Sequence, residues 1–320
     1  MTSPIRIGFA GAGHIANVHA RVLTPDPRVR VHAVFDPDVA RASLFAEKTG
    51  AMAVASLDEL LASIDALYIC NPNALHARLA CQALDAGLHV FSEKPMATSL
   101  DDARSVHASA QRAPGVYQAG FNRRFASVYK ELKRLLETGE LTALSALLKM
   151  NRGDLRVPAW TGDPAVSGGF LYETPIHMLD MVRHLFGEPK EVVCKGRAAV
   201  YGQLDDFSML LSFEGGMSVA FATNAHATWL PPFERVEVYG DHATAVTDEM
   251  ERITFAPSGE VEPRALDFRD QPFEARWGYV EEDRAFVEAA CGNAAPAVSA
   301  EEGLRTTELV ERCYRAAQRA

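Results

Sequence analysis

The sequence predicts an α/β fold: a doubly wound parallel sheet, followed by an α+β domain built on a large, mostly antiparallel open sheet. Three observations carry this expectation. Between residues 5 and 118, short apolar runs rich in β-branched residues alternate with amphipathic helical stretches, the βαβα rhythm of a parallel sheet covered on both faces. Beyond about residue 125 the apolar runs lengthen, alternate with polar residues and are joined by tight turns such as Glu214-Gly215-Gly216 and Gly240-Asp241, as antiparallel strands are. At 320 residues the chain is long enough for two substantial cores.

The first run, Ile5 to Ala10, suits a strand buried on both faces. It leads into Gly11-Ala12-Gly13-His14-Ile15-Ala16, a G-x-G-x-x-A turn before a helix to Leu23. In that setting Gly11 permits the strand-to-helix turn, Gly13 lets the backbone approach a pyrophosphate, and Ala16 lets helix and strand pack closely. The helix N-terminus offers unpaired N–H groups and a favourable dipole for negative charge. A second strand, Val29 to Phe35, ends at Asp36, twenty residues after Ala16, where an acidic group accepts hydrogen bonds from an adenosine ribose. As a simple turn residue before Pro37, or a cap for the helix 39–48, Asp36 would need no ligand. The pattern points to a dinucleotide. Asp36 repels a 2′-phosphate, so NAD is expected, and nearby Arg41 keeps NADP as the alternative.

Further along, helix 57–62, strand 66–70, helix 74–86, strand 88–91, helix 100–111 and strand 116–119 complete the first domain. Ligands of such sheets bind beyond the carboxyl ends of the strands. Two of those loops are chemically rich. Asn71-Pro72-Asn73 precedes a helix whose first turn carries His76, with Asn73 as its alternative cap. Ser92-Glu93-Lys94-Pro95 follows a central strand; Lys94 before proline is held out of helical geometry, and that bond is a candidate for the cis isomer.

The boundary falls near 120–125, giving domains 1–122 and 123–320. After a helix over 127–137, strands are expected at 144–151, 191–201, 207–213, 217–226, 235–240, 244–248 and 253–255. One long helix, Leu171 to Phe186, interrupts them, and two more close the chain near 279–291 and 301–318. In the interrupting helix Glu173, His177 and Asp180 are spaced i, i+4 and i, i+3, which places them near one face. A carboxylate beside an imidazole orients the ring and raises its proton affinity, as a general acid–base pair requires. The competing explanations are a helix-start Glu with a core His, or two ligands of a metal; no other His or Cys cluster has matching spacing, so no metal is expected.

Composition narrows the class. A formal net charge of −10 argues against non-specific nucleic-acid binding. The longest uncharged stretch, 215–233, contains Gly, Asn and two Pro and alternates like a strand, so no membrane span is expected. The five cysteines lack a C-x-x-C pair and suit buried thiols in a reducing cytoplasm.

Together these motifs resemble those of the glucose–fructose oxidoreductase and inositol dehydrogenase superfamily. The resemblance rests on Gly11 to Ala16, Asn71-Pro72-Asn73 with His76, Glu93-Lys94-Pro95-Met96-Ala97, Gly120-Phe121-Asn122-Arg123-Arg124-Phe125, and Gly168-Gly169 leading to Glu173, His177 and Asp180. It implies an NAD(P)-dependent oxidoreductase with a Rossmann domain and an α/β domain whose open sheet face makes dimers or tetramers. It implies that Lys94 contacts or orients substrate near the nicotinamide and that His177 is the acid–base residue, with Glu173 assisting. Asn122, Arg123, Tyr172 and Asp180 are then substrate-side residues. Many members carry Asp where this chain has Glu173, and Gly where it has Pro175, which leaves Lys94 or His177 as the proton donor. The expected reaction is hydride transfer between NAD and a sugar, polyol or cyclitol. The alternatives are a reductase of nucleotide-linked keto-sugars and a non-catalytic NAD sensor.

Overall fold

The structure is a computed structural model that describes residues 3–318, and the chain divides into two compact units. One holds the residues up to Phe121 together with Tyr279–Thr307; the other holds Asn122–Gly278 and the residues from Glu308.

In the first unit six strands, β1 (Ile5–Ala10), β2 (Val29–Phe35), β3 (Met52–Ala53), β4 (Ala66–Ile69), β5 (His89–Glu93) and β6 (Tyr117–Gly120), form one parallel sheet. Their order, β3-β2-β1-β4-β5-β6, reverses direction beside β1, the switch point where doubly wound sheets bind nucleotides. Five helices connect them: α1 (His14–Leu23), α2 (Val39–Thr49), α3 (Leu57–Ser63), α4 (His76–Asp85) and α5 (Leu100–Arg112). Local chemistry sets their ends. Asp38 accepts from the Ala40 and Arg41 N–H groups at the start of α2, and Ser56 and Ser99 open α3 and α5 in the same way. Gly50, left-handed at φ 75°, closes α2.

The second unit is built on eight strands: β7 (Ser145–Asn151), β8 (Glu191–Arg197), β9 (Asp206–Ser212), β10 (Ser218–Asn224), β11 (Glu234–Tyr239), β12 (Thr244–Asp248), β13 (Arg252–Ala256) and β14 (Arg264–Asp267), in the order β14-β13-β12-β11-β7-β10-β9-β8. Every neighbouring pair is antiparallel except β7 and β10. Its helices are α6 (Ser127–Glu137), α7 (Pro164–Ser167), α8 (Phe170–Glu173), α9 (Ile176–Phe186) and α10 (Phe273–Arg276). Along β9, buried Phe207, Met209 and Leu211 alternate with outward Ser208 and Leu210, so one sheet face is covered and the other is open.

Three expectations are corrected here. The helix expected over 171–186 is two, α8 and α9. Pro175 lacks the N–H that a continuous helix needs and instead stands at the N-cap of α9. The strand expected over 191–201 stops at Arg197. The buried Asp205 carboxylate accepts from the N–H groups of Ala199, Val200 and Tyr201, drawing that stretch out of the ladder. The exposed strand β14 is added to those expected; no residue of Arg264–Asp267 is buried, so the sequence shows no apolar alternation there.

After α10 the chain returns to the first unit. The last helices are α11 (Tyr279–Ala290) and α12 (Ala300–Gln318); Tyr279–Thr307, which the sequence places with the second domain, packs with the first unit, and the part of α12 from Glu308 belongs to the second. Phe286 and Val287 of α11 join the core made by Ile7, Phe9, Tyr68 and Phe91. Tyr68 stacks on Phe91 at 4.6 Å and meets Phe286 edge-on at 5.3 Å. Among the described residues no helix is long and apolar enough to cross a membrane.

Candidate active site

The glycine turn leaves β1 at the switch point. Gly11 has φ +101°, and a Cβ there would stand 2.7 Å from the Cys70 carbonyl oxygen, so no other residue fits without moving backbone. Gly13 is different: its backbone is ordinary, and an added Cβ meets nothing within 4 Å. It occupies the N-cap of α1, where the cap offers no side-chain acceptor to the first N–H groups and no acidic residue stands in the first turn. This open, uncapped helix end fits a dinucleotide pyrophosphate. His14 is exposed beside it, Ile15 half-buried, and Ala16 fully buried against the core.

Asp36 is 6% exposed at the end of β2. Its carboxylate accepts from Ala12 N (2.9 Å) and Asp38 N (2.9 Å), tying the glycine turn to the next loop. Arg41 approaches it at 3.7 Å and Asp38 at 3.3 Å.

The two loops singled out from the sequence meet through His76. Its ring is buried, with Nδ1 2.7 Å from the Pro95 carbonyl and Nε2 2.8 Å from the Asn71 carbonyl. Burial lowers its proton affinity, against the pull of those two carbonyls. Asn71 Oδ1 is buried and has no hydrogen-bond partner among the described residues. The cap position of α4 is Leu75, so Asn73 instead opens a short 3₁₀ turn over Asn73–Leu75.

Glu93 ends β5 at 8% exposure, and Lys94 follows it half-buried, before a cis bond to Pro95. Glu93 Oε2 accepts from Lys94 N at 3.1 Å, while Oε1 lies 3.1 Å from Nε2 of His19. The other ring nitrogen of His19 lies 2.8 Å from Asp283, which also accepts from the Tyr68 hydroxyl at 3.2 Å. Sequence reasoning missed His19, Tyr68 and Asp283. His19 sits on the buried face of α1, but its partners are 74 and 264 residues away.

In the second unit Glu173 ends α8 and His177 occupies the first turn of α9; both are 8% exposed. Glu173 accepts from Arg152 Nε at 2.7 Å and from the Thr174 hydroxyl. Arg152 lies over the Trp229 ring at 5.4 Å and donates to the carbonyls of Asp154 and Val157. Asp180 is fully buried, its two oxygens each 2.7 Å from the fork of Arg124. Asn122 Nδ2 donates to the Trp277 carbonyl, and buried Arg123 pairs with Glu234 at 2.8 Å, which also receives the Tyr129 hydroxyl at 2.6 Å. The Tyr172 hydroxyl donates to Glu311 at 2.8 Å; burial, with the Glu311 charge, raises its pKa. Asp180, Arg123 and Tyr172 are therefore engaged by protein partners. Among the described residues no group of three or more His, Cys, Asp or Glu is arranged to hold a metal. All five cysteines are free; Cys70, Cys194 and Cys313 are buried, whereas Cys291 is exposed.

Comparison with known proteins agrees with this geometry. Residues 5–121 match the model of an oxidoreductase family with an NAD-binding Rossmann fold, and residues 133–320 match that family's C-terminal alpha/beta domain. The chain is similar to the uncharacterized oxidoreductase YrbE of Bacillus subtilis strain 168, at 32% identity over 100% of this chain and 95% of that one. It is 28% identical to the myo-inositol 2-dehydrogenase of Thermotoga maritima, over 93% and 92% of the two chains. A solved structure, a putative myo-inositol dehydrogenase from Sinorhizobium meliloti 1021, superimposes with a TM-score of 0.83 at 25% identity, covering 98% of each. An open pyrophosphate cradle at the switch point, an acidic residue closing β2, and family matches across both units lead to one conclusion: the chain belongs to the glucose–fructose oxidoreductase and inositol dehydrogenase family of NAD-binding oxidoreductases.

Proposed function

We propose that this enzyme transfers a hydride reversibly between NAD and a carbinol carbon of a cyclitol, polyol or sugar. The observation that carries the reading is the carboxyl edge of the first unit's parallel sheet, where an open Gly13 follows β1, a buried Asp36 follows β2 and Lys94 follows β5. Gly11 to Ala16 hold the pyrophosphate and Asp36 the adenosine ribose, which favours NAD over NADP; Asn71, Pro72, Asn73, His76 and Glu93 shape the loops around the nicotinamide. The nicotinamide held there would supply the hydride acceptor for the carbinol carbon, and the hydride donor in the reverse direction.

The chain's own residues manage the proton. In the oxidative direction His177 accepts the hydroxyl proton as the C–H bond breaks and the carbonyl forms; Lys94 donates a hydrogen bond to the same oxygen and stabilises its developing charge. Glu173, held by Arg152, is the carboxylate partner of that proton transfer, and Asn122, Arg123, Tyr172 and Asp180 support the substrate side. The similarity to a myo-inositol 2-dehydrogenase supports a cyclitol as the first substrate to try.

We also read the chain as a cytoplasmic homodimer or homotetramer. On the open sheet face Val193, Leu210, Ala220 and Leu147 stand opposite one another across four strands, an exposed apolar row that a second copy would cover. Leu210→Glu is then expected to shift the mass measured by light scattering toward the monomer.

The test of function is spectrophotometric: cyclitols, aldoses, keto-sugars and nucleotide sugars, each with NAD and NADP. Turnover with a cyclitol or sugar, abolished in His177→Ala with NADH binding retained, is the expected result. Tight NADH binding without turnover anywhere on the panel would point to a sensor instead, and undiminished turnover by His177→Ala would remove that residue from the mechanism.

A further inference from the structure

We propose that His19 is the positioning residue for Lys94, acting through Glu93. The inference rests on the reading of Lys94 as the group that meets the substrate oxygen. Its basis is an unbroken series of contacts within the first unit: Asp283 to His19 Nδ1 at 2.8 Å, His19 Nε2 to Glu93 Oε1 at 3.1 Å, and Lys94 N to Glu93 Oε2 at 3.1 Å.

His19 is fully buried, and its ring is lined by aromatic faces: Phe91 at 4.9 Å, Tyr68 at 5.4 Å and Tyr279 at 5.5 Å. Three ionisable groups in such a place are a poor way to gain stability. Buried ion clusters replaced by apolar residues of similar size often leave a protein as stable or more so. What this cluster does provide is direction. A neutral imidazole has one N–H and can donate to one carboxylate, leaving the other against a lone pair; an imidazolium donates to both at once. Burial opposes that charge, but the attraction and hydrogen bond of Asp283, with Glu93 adding to both, raise the His19 pKa well above the ordinary histidine value. Charged His19 therefore fixes one oxygen of Glu93, and the other oxygen is left to receive the Lys94 backbone N–H. Asp283 arrives on α11, so the C-terminal return of the chain anchors the far end of this series.

A displacement of about 1 Å at a catalytic group costs roughly a hundredfold in rate, so the effect belongs in kcat. The experiment compares His19→Gln, Asp283→Asn, Lys94→Ala and the double variant His19→Gln/Lys94→Ala in the full chain. It uses NAD with the panel substrate of highest kcat/KM, and NADH affinity is measured by fluorescence. The expected result is a ten- to hundredfold fall in kcat for His19→Gln, with KM and NADH affinity within about threefold of the wild type. The double variant should be no slower than Lys94→Ala alone, because the two losses share one route. A merely structural role for His19 would multiply onto the Lys94 defect instead, and that outcome overturns the proposal, as does full-speed His19→Gln. Should His19→Gln fail to fold, Asp283→Asn carries the same comparison, and undiminished kcat there is equally fatal. If Lys94→Ala itself turns over normally, the reading of Lys94 fails, whatever His19 does.

Discussion

Two glycines separated by a single residue, Gly11 and Gly13, should respond to the same methyl group in opposite ways. At Gly13 the backbone (φ −73°, ψ −169°) is open to alanine and the added carbon meets no protein atom within 4 Å. Gly→Ala at such a site gains about 0.4–1 kcal/mol by restricting the unfolded chain. Alanine is a poorer N-cap than glycine, which takes back a similar amount. The ligand-free protein should thus keep its Tm within about 2–4 °C, the shift that roughly 1 kcal/mol produces in a unit of this size. The methyl does occupy the space that a pyrophosphate needs, so the NADH Kd should rise at least about tenfold, or ~1.4 kcal/mol. Gly11→Ala fails earlier. Its φ of +101° costs about 1–3 kcal/mol for any other residue, and the Cys70 carbonyl at 2.7 Å must also move. A total near 3 kcal/mol lowers the ligand-free Tm by roughly 6–12 °C. Thermal unfolding without ligand and NADH fluorescence titration separate the two. Equal loss of Tm in both variants, or wild-type NADH affinity in Gly13→Ala, would refute the assignment of Gly13 to the pyrophosphate.

Further outcomes follow from other contacts. Asp180→Asn removes the charge that faces the buried Arg124 fork and should destabilise the second unit by about 3–5 kcal/mol, read by urea unfolding. Burial pushes the Glu249 carboxyl up to about 7, although the N–H groups of Phe233 and Glu234 donate to it. A carboxyl raised in the folded state gives stability that is complete below its unfolded value near 4.5 and is lost as pH climbs through about 7. Measured by differential scanning fluorimetry, the Tm of Glu249→Gln relative to wild type should therefore rise across that window; a constant difference would remove Glu249 from the account. Arg41→Ala strips the guanidinium beside Asp36 and Asp38, and should raise KM for NADP several-fold more than KM for NAD.

Much of this was readable along the chain because its causes are local. Strand β2 and helix α6 fall where the apolar period places them, and Gly11, Gly13 and Asp36 announce themselves by spacing. Pro175 is visible too, yet the periodicity of the flanking residues outweighs it, so a two-part helix has the sequence pattern of one. What escaped reading depends on partners distant in sequence. Arg124 meets Asp180 across 56 residues, and His19 meets Asp283 across 264, so a pattern of neighbours carries no trace of either. The same distance hides the fact that Asp180, which reads as part of an acid–base face, spends both oxygens on an arginine.

Helix α11 has a consequence for how the molecule comes into being. Phe286 and Val287 fill the first unit's hydrophobic centre, and Asp283 completes its buried charge cluster. Domains commonly fold in order as they emerge during synthesis. Here the residues up to Phe121 must wait in an incomplete state until the chain has been made as far as α11, because the wedge that seals them comes only after the whole stretch Asn122–Gly278. A fragment ending at Phe121 would expose an aromatic cleft in place of that helix, making it a natural client for chaperones rather than a usable nucleotide-binding module.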